Sequence, residues 1–387
     1  MPDKISVGVL FGGRSAEHEV SLQSARNVAQ ALDPKKYEPV YIGINKAGAW
    51  LAPGVSARYL ALSATQPTKG PEKSREIVMM APSGEGVLTR DSGTIEGKID
   101  VVFPVLHGPF GEDGTVQGLL KLADVPFVGA GVLGSAVGMD KDVMKRLLRD
   151  AGIPIGKFMV VHAHEASKTK FADIKKKLGL PLFVKPANLG SSVGVSKVRT
   201  EAEYKYALKE AFEYDTKILI EEFIDGREIE CSVLGNEDPV ASVPGELILQ
   251  SEFYSYEAKY LEPDAMKPRI PASLSKETTK KVQELAVAAF KALCCEGIGN
   301  IEFFVTKDGQ LYVNEINTIP KFTTASLCSK MWEASGFPYP KIIDKLISLA
   351  IERHARDKKL KSDKASVLKK TCSCSLAGNQ PNTKYRL

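Results

Sequence analysis

The stretch FFVTKDGQLYVNEINTIPKFTTAS, Phe303 to Ser326, constrains the chain more than any other. Ile301 to Val305 reads as a strand, Lys307-Asp308-Gly309 as a tight turn, and Leu311 to Ile316 as the returning strand. Asp-Gly between apolar runs is a strong hairpin signal. Glu315 and Asn317 are two residues apart, so their side chains share a face, and Glu302 on the first strand can reach the same face. Two carboxylates and an amide on a rigid hairpin form an oxygen-donor set suited to a hard divalent ion such as Mg²⁺, which usually shares its coordination with substrate phosphates. Standing alone, such a hairpin more often just faces water, so the reading depends on what accompanies it.

At 387 residues the chain is too long for one ordinary core and predicts two or three domains. Its 43% hydrophobic and 26% charged residues describe a globular protein. The net charge of +5 is uneven: residues 357–387 carry eight Lys/Arg against two Asp, a +6 tail that leaves the rest at −1. A basic balance confined to a tail gives no nucleic-acid face. No signal peptide opens the chain and no apolar run approaches a membrane span. Cys231, Cys294, Cys295, Cys328, Cys372 and Cys374 lack zinc-ligand spacing and read as reduced thiols of a cytoplasmic protein.

Along the chain, Ile5 to Phe11, the Gly12-Gly13 turn and a helical pattern from Val20 to Leu32 open a doubly wound α/β domain. The three-glycine dinucleotide fingerprint is absent. Strands follow at Tyr37 to Ile44 and Val101 to Leu106; 52–97 is weakly patterned. Glu17 lies on the turn after the first strand, and His107 and Glu112 on the Gly-rich turn after Val101 to Leu106, at strand ends where such domains bind ligands. A loop-tying role for His107 is equally open. Thr115 to Leu122 is helical, 128–134 a Gly-rich connection, and Lys141 to Asp150 a helix.

A second chemistry-bearing segment is KPANLGSSVGV, Lys185 to Val195. There a strand ends in a lysine, a loop of small residues follows, and a strand resumes at Val193. Its glycines and Ser191-Ser192 let backbone N–H groups approach phosphate oxygens, while Lys185 supplies a charge. It is not a Walker loop. The strand Lys217 to Ile220 runs into Glu221-Glu222-Phe223-Ile224, which can read an adenine amino group, with Glu228 placed to hold ribose hydroxyls. An ordinary solvated acidic turn fits these residues equally well. The Tyr-rich segment 253–260 in a long connection reads as a lid, and Lys276 to Leu293 as an amphipathic helix. Further helices are expected over Ser329 to Ala334 and Tyr339 to His354, before a disordered tail.

Five segments in order, GGRSAEHEVSL (12–22), HGPFGEDGTVQG (107–118), KPANLGSSVGVSKV (185–198), FYSYEAKY (253–260) and NEINTIP (314–320), resemble the ATP-grasp fold and, within it, the D-alanine–D-alanine ligases. The resemblance runs from about Lys4 to Arg353. It implies an N-terminal α/β substrate domain over 1–135, a central ATP-grasp subdomain over 136–225, a C-terminal one over 226–356, and a tail over 357–387. The implied chemistry is ATP-dependent phosphorylation of one D-alanine and attack by the amine of a second, in a cytoplasmic homodimer that binds no nucleic acid or membrane.

By the same resemblance, Lys141, Lys185, Ser191 and Ser192 meet the ATP phosphates. Glu221, Glu222, Phe223, Ile224, Glu228 and Phe304 surround adenine and ribose. Glu302, Glu315 and Asn317 would hold two Mg²⁺, or Mn²⁺. Glu17 would face the first D-alanine ammonium, linked to Ser191 and Tyr260, with Ser326 near the second carboxylate and His107 and Lys259 close to the reacting groups. The family usually has Arg at Asn300, Asp at Glu302 and Gly at Lys321. Loss of the Arg removes a cation from the oxyanion, which Lys321 is expected to replace in part; one such donor is worth about a hundred- to a thousandfold in rate. A sister ligase with a different second substrate, or a silent nucleotide-binding relative, stays open.

Overall fold

The computed structural model describes residues 4–64, 71, 76–82, 84–90, 92–249, 266–324 and 326–360. The segment with Lys259 and Tyr260 and the tail from 361 lie outside them.

The N-terminal region starts with strand β1 (Ile5–Gly12), helix α1 (His18–Ala31) and strand β2 (Tyr37–Ile44). Gly12 has φ +93°, and a Cβ there would lie 2.2 Å from the Ile44 carbonyl, so only glycine fits this turn. The described residues of 52–97 hold more regular structure than the weak pattern implied. It holds helix α2 (Pro53–Leu62) and an antiparallel sheet of β3 (Val78–Met80), β4 (Val87–Arg90) and β5 (Ile95–Lys98). Strands this short carry too few periods for alternation to register. Next come β6 (Val101–Pro104), α3 (Thr115–Leu122), α4 (Val132–Met139) and α5 (Lys141–Asp150). α4 occupies part of the expected glycine connection; Gly134 is needed there because a Cβ would meet the Cys294 carbonyl at 2.7 Å.

β2, β1 and β6 form a parallel sheet covered on both faces, as a doubly wound domain requires. Val9, Phe11 and Phe103 pack on Leu22 and Val28 of α1, whereas Leu10, Ile42 and Val102 pack on Val78, Met80 and Leu88 of the small sheet.

The middle region contains β7 (Phe158–His162), a 3₁₀ turn (Ala163–Lys168), α6 (Phe171–Leu178), β8 (Leu182–Pro186), β9 (Ser196–Val198), α7 (Glu201–Ala211) and β10 (Lys217–Glu222). The antiparallel order is β7-β10-β8-β9. β9 begins at Ser196, later than expected, because Ser191, Ser192 and Gly194 take positive φ values of 55°, 60° and 67° that no strand accepts.

The C-terminal sheet joins β11 (Gly226–Gly235), β12 (Val240–Ala241), β13 (Gly245–Leu249), β14 (Met266–Arg269), β15 (Gly297–Thr306) and β16 (Leu311–Asn317). Its main order is β14-β13-β11-β15-β16, and every pairing is antiparallel. Helix α8 (Lys276–Ala292) lays Val282, Ala286, Ala289 and Phe290 on Ile229, Cys231, Ile301 and Phe303. α9 (Leu327–Ala334) and α10 (Tyr339–Asp357) follow.

Two helices pack into cores built mainly from strands distant in sequence. Met144 and Leu148 of α5 join the core of the C-terminal sheet, and Ile343, Leu346 and Ile347 of α10 join that of β1 and β6. Arg353 of α10 donates to the carbonyls of Gly129 (2.6 Å) and Phe127 (2.7 Å). Chain order places a helix near its neighbours in sequence, whereas its apolar face goes where a matching face is exposed.

Candidate functional site

The hairpin faces are set by alternation and by one irregularity. On β15, Ile301, Phe303 and Val305 are buried in the α8 core, so Glu302 and Phe304 point to the other face. Glu302 pairs with Glu315 but Phe303 pairs with Val313, which leaves Asn314 as an extra residue in β16. This bulge lets Val313 stay in the core while Glu315 and Asn317 share the face of Glu302. Neighbouring β11 adds Glu228 opposite Phe304 and Glu230 opposite Glu302.

Two cavities meet over this face. One, of about 670 Å³, is lined by Lys141, Lys185, Ser191, Ser192, Glu221, Glu222, Phe223, Ile224, Glu228 and Phe304, the whole set expected around a nucleotide. The other, of about 320 Å³, is lined by Glu17, His107, Asn300, Asn317, Lys321 and Ser326. Lys141, Ser191, Glu302 and Glu315 border both. Of the candidate residues only Lys259 and Tyr260 fall outside the described chain.

The lysines are held by ion pairs. Asp140 caps α5 through the N–H groups of Asp142 and Val143 and is gripped by Lys217 Nζ at 2.6 Å. The anchored helix points Lys141 Nζ at Leu189 O (2.8 Å) and Glu315 Oε2 (3.1 Å). Lys185 lies 2.5 Å from Glu221 Oε2, and Lys145, one turn beyond Lys141, lies 3.0 Å from Oε1 of the same carboxylate. Burial favours a protonated Glu221, but the two ammonium groups outweigh it and hold its pKa below the ordinary value. Burial pushes the Lys145 pKa down. Burial opposes the charge on Lys185 as well, but Glu221 and Glu315 overcome it and raise that pKa. Lys145 was not expected from the sequence; its spacing of four from Lys141 on one helix was the available signal. Glu230, two residues after Glu228 on a strand, was equally legible and equally missed.

In the smaller cavity the β1–α1 turn is tied down from several sides. Ser15 donates to His107 O (2.6 Å) and accepts from the Glu17 N–H (3.1 Å). His107 is buried, and its pKa is lowered to about 4 by burial, with Lys321 adding to the shift. Its Nδ1 faces the Ile319 carbonyl at 3.2 Å and must donate, so Nε2 accepts from Ser24 Oγ at 3.1 Å. The loop-tying role considered for His107 is therefore occupied by both nitrogens, although the ring also lines the cavity. Burial likewise raises the Glu112 pKa well above the carboxylate range. Ser326 caps α9, accepting from Ser329 N–H at 3.2 Å, so this helix N-terminus borders the cavity.

Asn300 and Lys321 line one cavity but point to different partners. Asn300 Nδ2 donates to Glu230 (3.2 Å), and its buried Oδ1 has no hydrogen-bond partner among the described residues. Lys321 Nζ is 3.9 Å from Glu17 Oε1.

Comparison with known proteins decides the family. The model described as D-ala D-ala ligase N-terminus matches residues 6–130, and the one described as D-ala D-ala ligase C-terminus matches 147–348. The chain belongs to the D-alanine–D-alanine ligase family. It is 47% identical to the D-alanine–D-alanine ligase of Oceanobacillus iheyensis, covering 94% of this chain and 99% of that one. It is 46% identical to the D-alanine–D-alanine ligase A of Escherichia coli strain K12, covering 93% and 99%. Among solved structures, the ligase from Coxiella burnetii superposes with a TM-score of 0.80 at 40% identity, covering 92% of this chain and 96% of that one. A D-Ala:D-Ser ligase from Enterococcus faecalis superposes with 0.81 at 36% identity, covering 90% and 100%. These neighbours agree with an ATP-grasp architecture.

Proposed function

We propose that this protein is an ATP-dependent ligase that joins two D-alanine molecules into the dipeptide used for peptidoglycan. The observation that carries the reading is the meeting of the two cavities at Glu302 and Glu315, with Lys141 bordering both. A phosphoryl donor in the larger cavity and a carboxylate in the smaller one would meet there.

Lys185 and Lys141 would neutralise the phosphates, and Phe223 and Ile224 would line the adenine, with Glu228 at the ribose. Ser191 and Ser192, in left-handed backbone, line the same cavity, where loop N–H groups would meet the phosphates. Glu302, Glu315 and Asn317 present only oxygen donors on one face, which fits Mg²⁺ and also Mn²⁺. Two ions bound there would draw charge from the transferring phosphoryl group.

The first D-alanine carboxylate attacks the γ-phosphorus, ADP leaves, and an acyl phosphate forms. The neutral amine of the second D-alanine then attacks the acyl carbon, forming the amide and releasing phosphate. Glu17 would hold the first ammonium and the α9 N-terminus at Ser326 the second carboxylate. His107, neutral and tied at both nitrogens, would position the Glu17 turn and take no proton at neutral pH. Tyr260 and Lys259 would act from a lid that excludes water from the acyl phosphate. We assign the protein to the cytoplasm as a homodimer; no described helix is long and apolar enough to cross a membrane.

Lys185→Ala and Glu315→Ala are each expected to abolish phosphate release with ATP, Mg²⁺ and D-alanine while leaving the circular dichroism spectrum intact. Near-normal release by either variant would refute the assignment. Product mass separates the dipeptide from the product of a sister ligase, a reading the similarity to a D-Ala:D-Ser ligase keeps relevant.

A further inference from the structure

Two acidic residues end β10, and the fold uses them differently. Glu222 is tied to the preceding connection, accepting from the Lys157 N–H at 2.7 Å. Glu221 is buried, lines the larger cavity beside Phe223 and Ile224, and meets the ammonium groups of Lys185 and Lys145. Lys185 borders the same cavity, where it would turn to the phosphates. Lys145 borders neither cavity. Its side chain is 3% exposed, its ammonium stands 5.9 Å from the centre of the Phe158 ring, and its helix is pinned by the Asp140–Lys217 pair. A nucleotide can therefore draw Lys185 away from Glu221 while Lys145 stays in place. Burial works against the charge on Glu221, and the field of Lys145 leads among the attractions that overcome it. Glu315 acts on both lysines, and Glu302 on Lys185, from further off.

We infer that Lys145 determines which base the nucleotide site accepts. It keeps Glu221 an ionised, acceptor-only carboxylate while Lys185 serves the phosphates, so a purine with an amino group at C6 is taken and one with an oxo group is refused. The inference rests on the reading that the larger cavity holds a nucleotide with its base against Glu221. An ionised carboxylate has no proton to donate. It accepts from the C6 amino group of adenine. The C6 oxygen of hypoxanthine would bring a second acceptor against it, in a buried site where an unmet polar group is costly. Without the Lys145 charge, a Glu221 that has yielded Lys185 to the phosphates takes up a proton, because burial disfavours its charge and the contact that outlasts nucleotide binding is gone. The resulting carboxyl group donates as well as accepts and suits either base. Lys145 touches neither base nor phosphate; it acts through Glu221, as a positioning residue.

The test compares the dissociation constants of ADP and IDP, measured calorimetrically with Mg²⁺ on the full chain. The two ligands differ only at C6 and N1, and the readout needs no turnover. The parent should bind ADP about tenfold or more tightly than IDP, the scale of a hydrogen bond to a charged group. Lys145→Met and Lys145→Gln, which both remove the charge, should each lower that ratio about fivefold or more. A purely structural role would weaken both ligands by the same factor and leave the ratio unmoved. A parent ratio near one, or an unchanged ratio in either folded variant, overturns the inference. Glu221→Gln separates this failure from that of the reading beneath it. Its amide offers a donor and an acceptor, so it should lower the ratio whatever Lys145 does. If Glu221→Gln keeps the parent ratio, the base does not lie against Glu221, and the reading falls with the inference. If Glu221→Gln lowers the ratio while the lysine variants keep it, only the inference falls.

Discussion

Glu221 sits between two buried ammonium groups, Lys185 at 2.5 Å and Lys145 at 3.0 Å, and all three side chains are about nine-tenths buried or more. Glu221 is the carboxylate in contact with both cations, and Glu315 acts on them from further off. Glu221→Gln preserves shape but leaves two buried positive charges facing each other. Removing one partner of a buried pair costs about 3–5 kcal/mol because the survivor is uncompensated. At roughly 2–4 °C per kcal/mol, the melting temperature should fall by about 6 °C or more. Lys145→Met is the informative contrast: it leaves a matched Lys185–Glu221 pair and removes a cation that burial already disfavours, so its cost should stay within about 1 kcal/mol. Lys145→Met combined with Glu221→Gln should recover at least half of the single-variant loss, since the two positions are coupled. The penalty of Glu221→Gln should also shrink as pH rises, as Lys145, with its pKa lowered by burial, sheds its proton first. Thermal melts of the ligand-free variants by circular dichroism measure all of this. A Glu221→Gln melt within 2 °C of the parent, or a double variant no better than the single, would refute the reasoning.

Three further outcomes are expected. His107 titrates at about 4 in the folded chain against an ordinary 6.5, so the unfolded state binds the proton first and stability is lost as pH falls from about 6.5 to 4. Urea titrations should show the parent losing about 3 kcal/mol relative to His107→Gln across that window, and a pH-independent difference would contradict the buried neutral ring. Arg353→Ala should destabilise the chain by about 2–5 kcal/mol, because two buried carbonyls lose their donor and the contact with the Phe127 ring disappears; a loss under 1 kcal/mol by urea unfolding would show that α10 docks without it. Deleting everything after Arg356 should leave phosphate release intact and cost about 1 kcal/mol or less, since among the described residues it removes two partly exposed ion pairs, Lys358–Asp124 at 3.0 Å and Arg356–Asp357 at 3.1 Å.

What the sequence determined by itself was local. The period-two pattern around Ile301 to Val305 and the Asp308-Gly309 turn specified a hairpin, because alternation and turn chemistry act within a few residues. The helices Thr115–Leu122 and Lys141–Asp150 were readable to the residue. That the Gly/Ser loop after Lys185 and the strand end at Glu221 line one cavity was suggested by the five ordered motifs together, since each segment alone also fits an ordinary turn.

Tertiary structure decided whatever depends on partners distant in sequence. The bulge at Asn314 that turns Glu315 away from the core is set by packing against α8 and has no signal in β16 itself. Lys145 reads as one more polar helix residue until Glu221, 76 positions later, pairs with it, and the protonation states of His107 and Glu112 come from burial that no local pattern records. The direction of Lys321 belongs here as well. The folded chain brings it within 3.9 Å of Glu17 on the turn after β1, an approach no local pattern records, because the electrostatic field in a cavity is summed over space and takes no account of chain order.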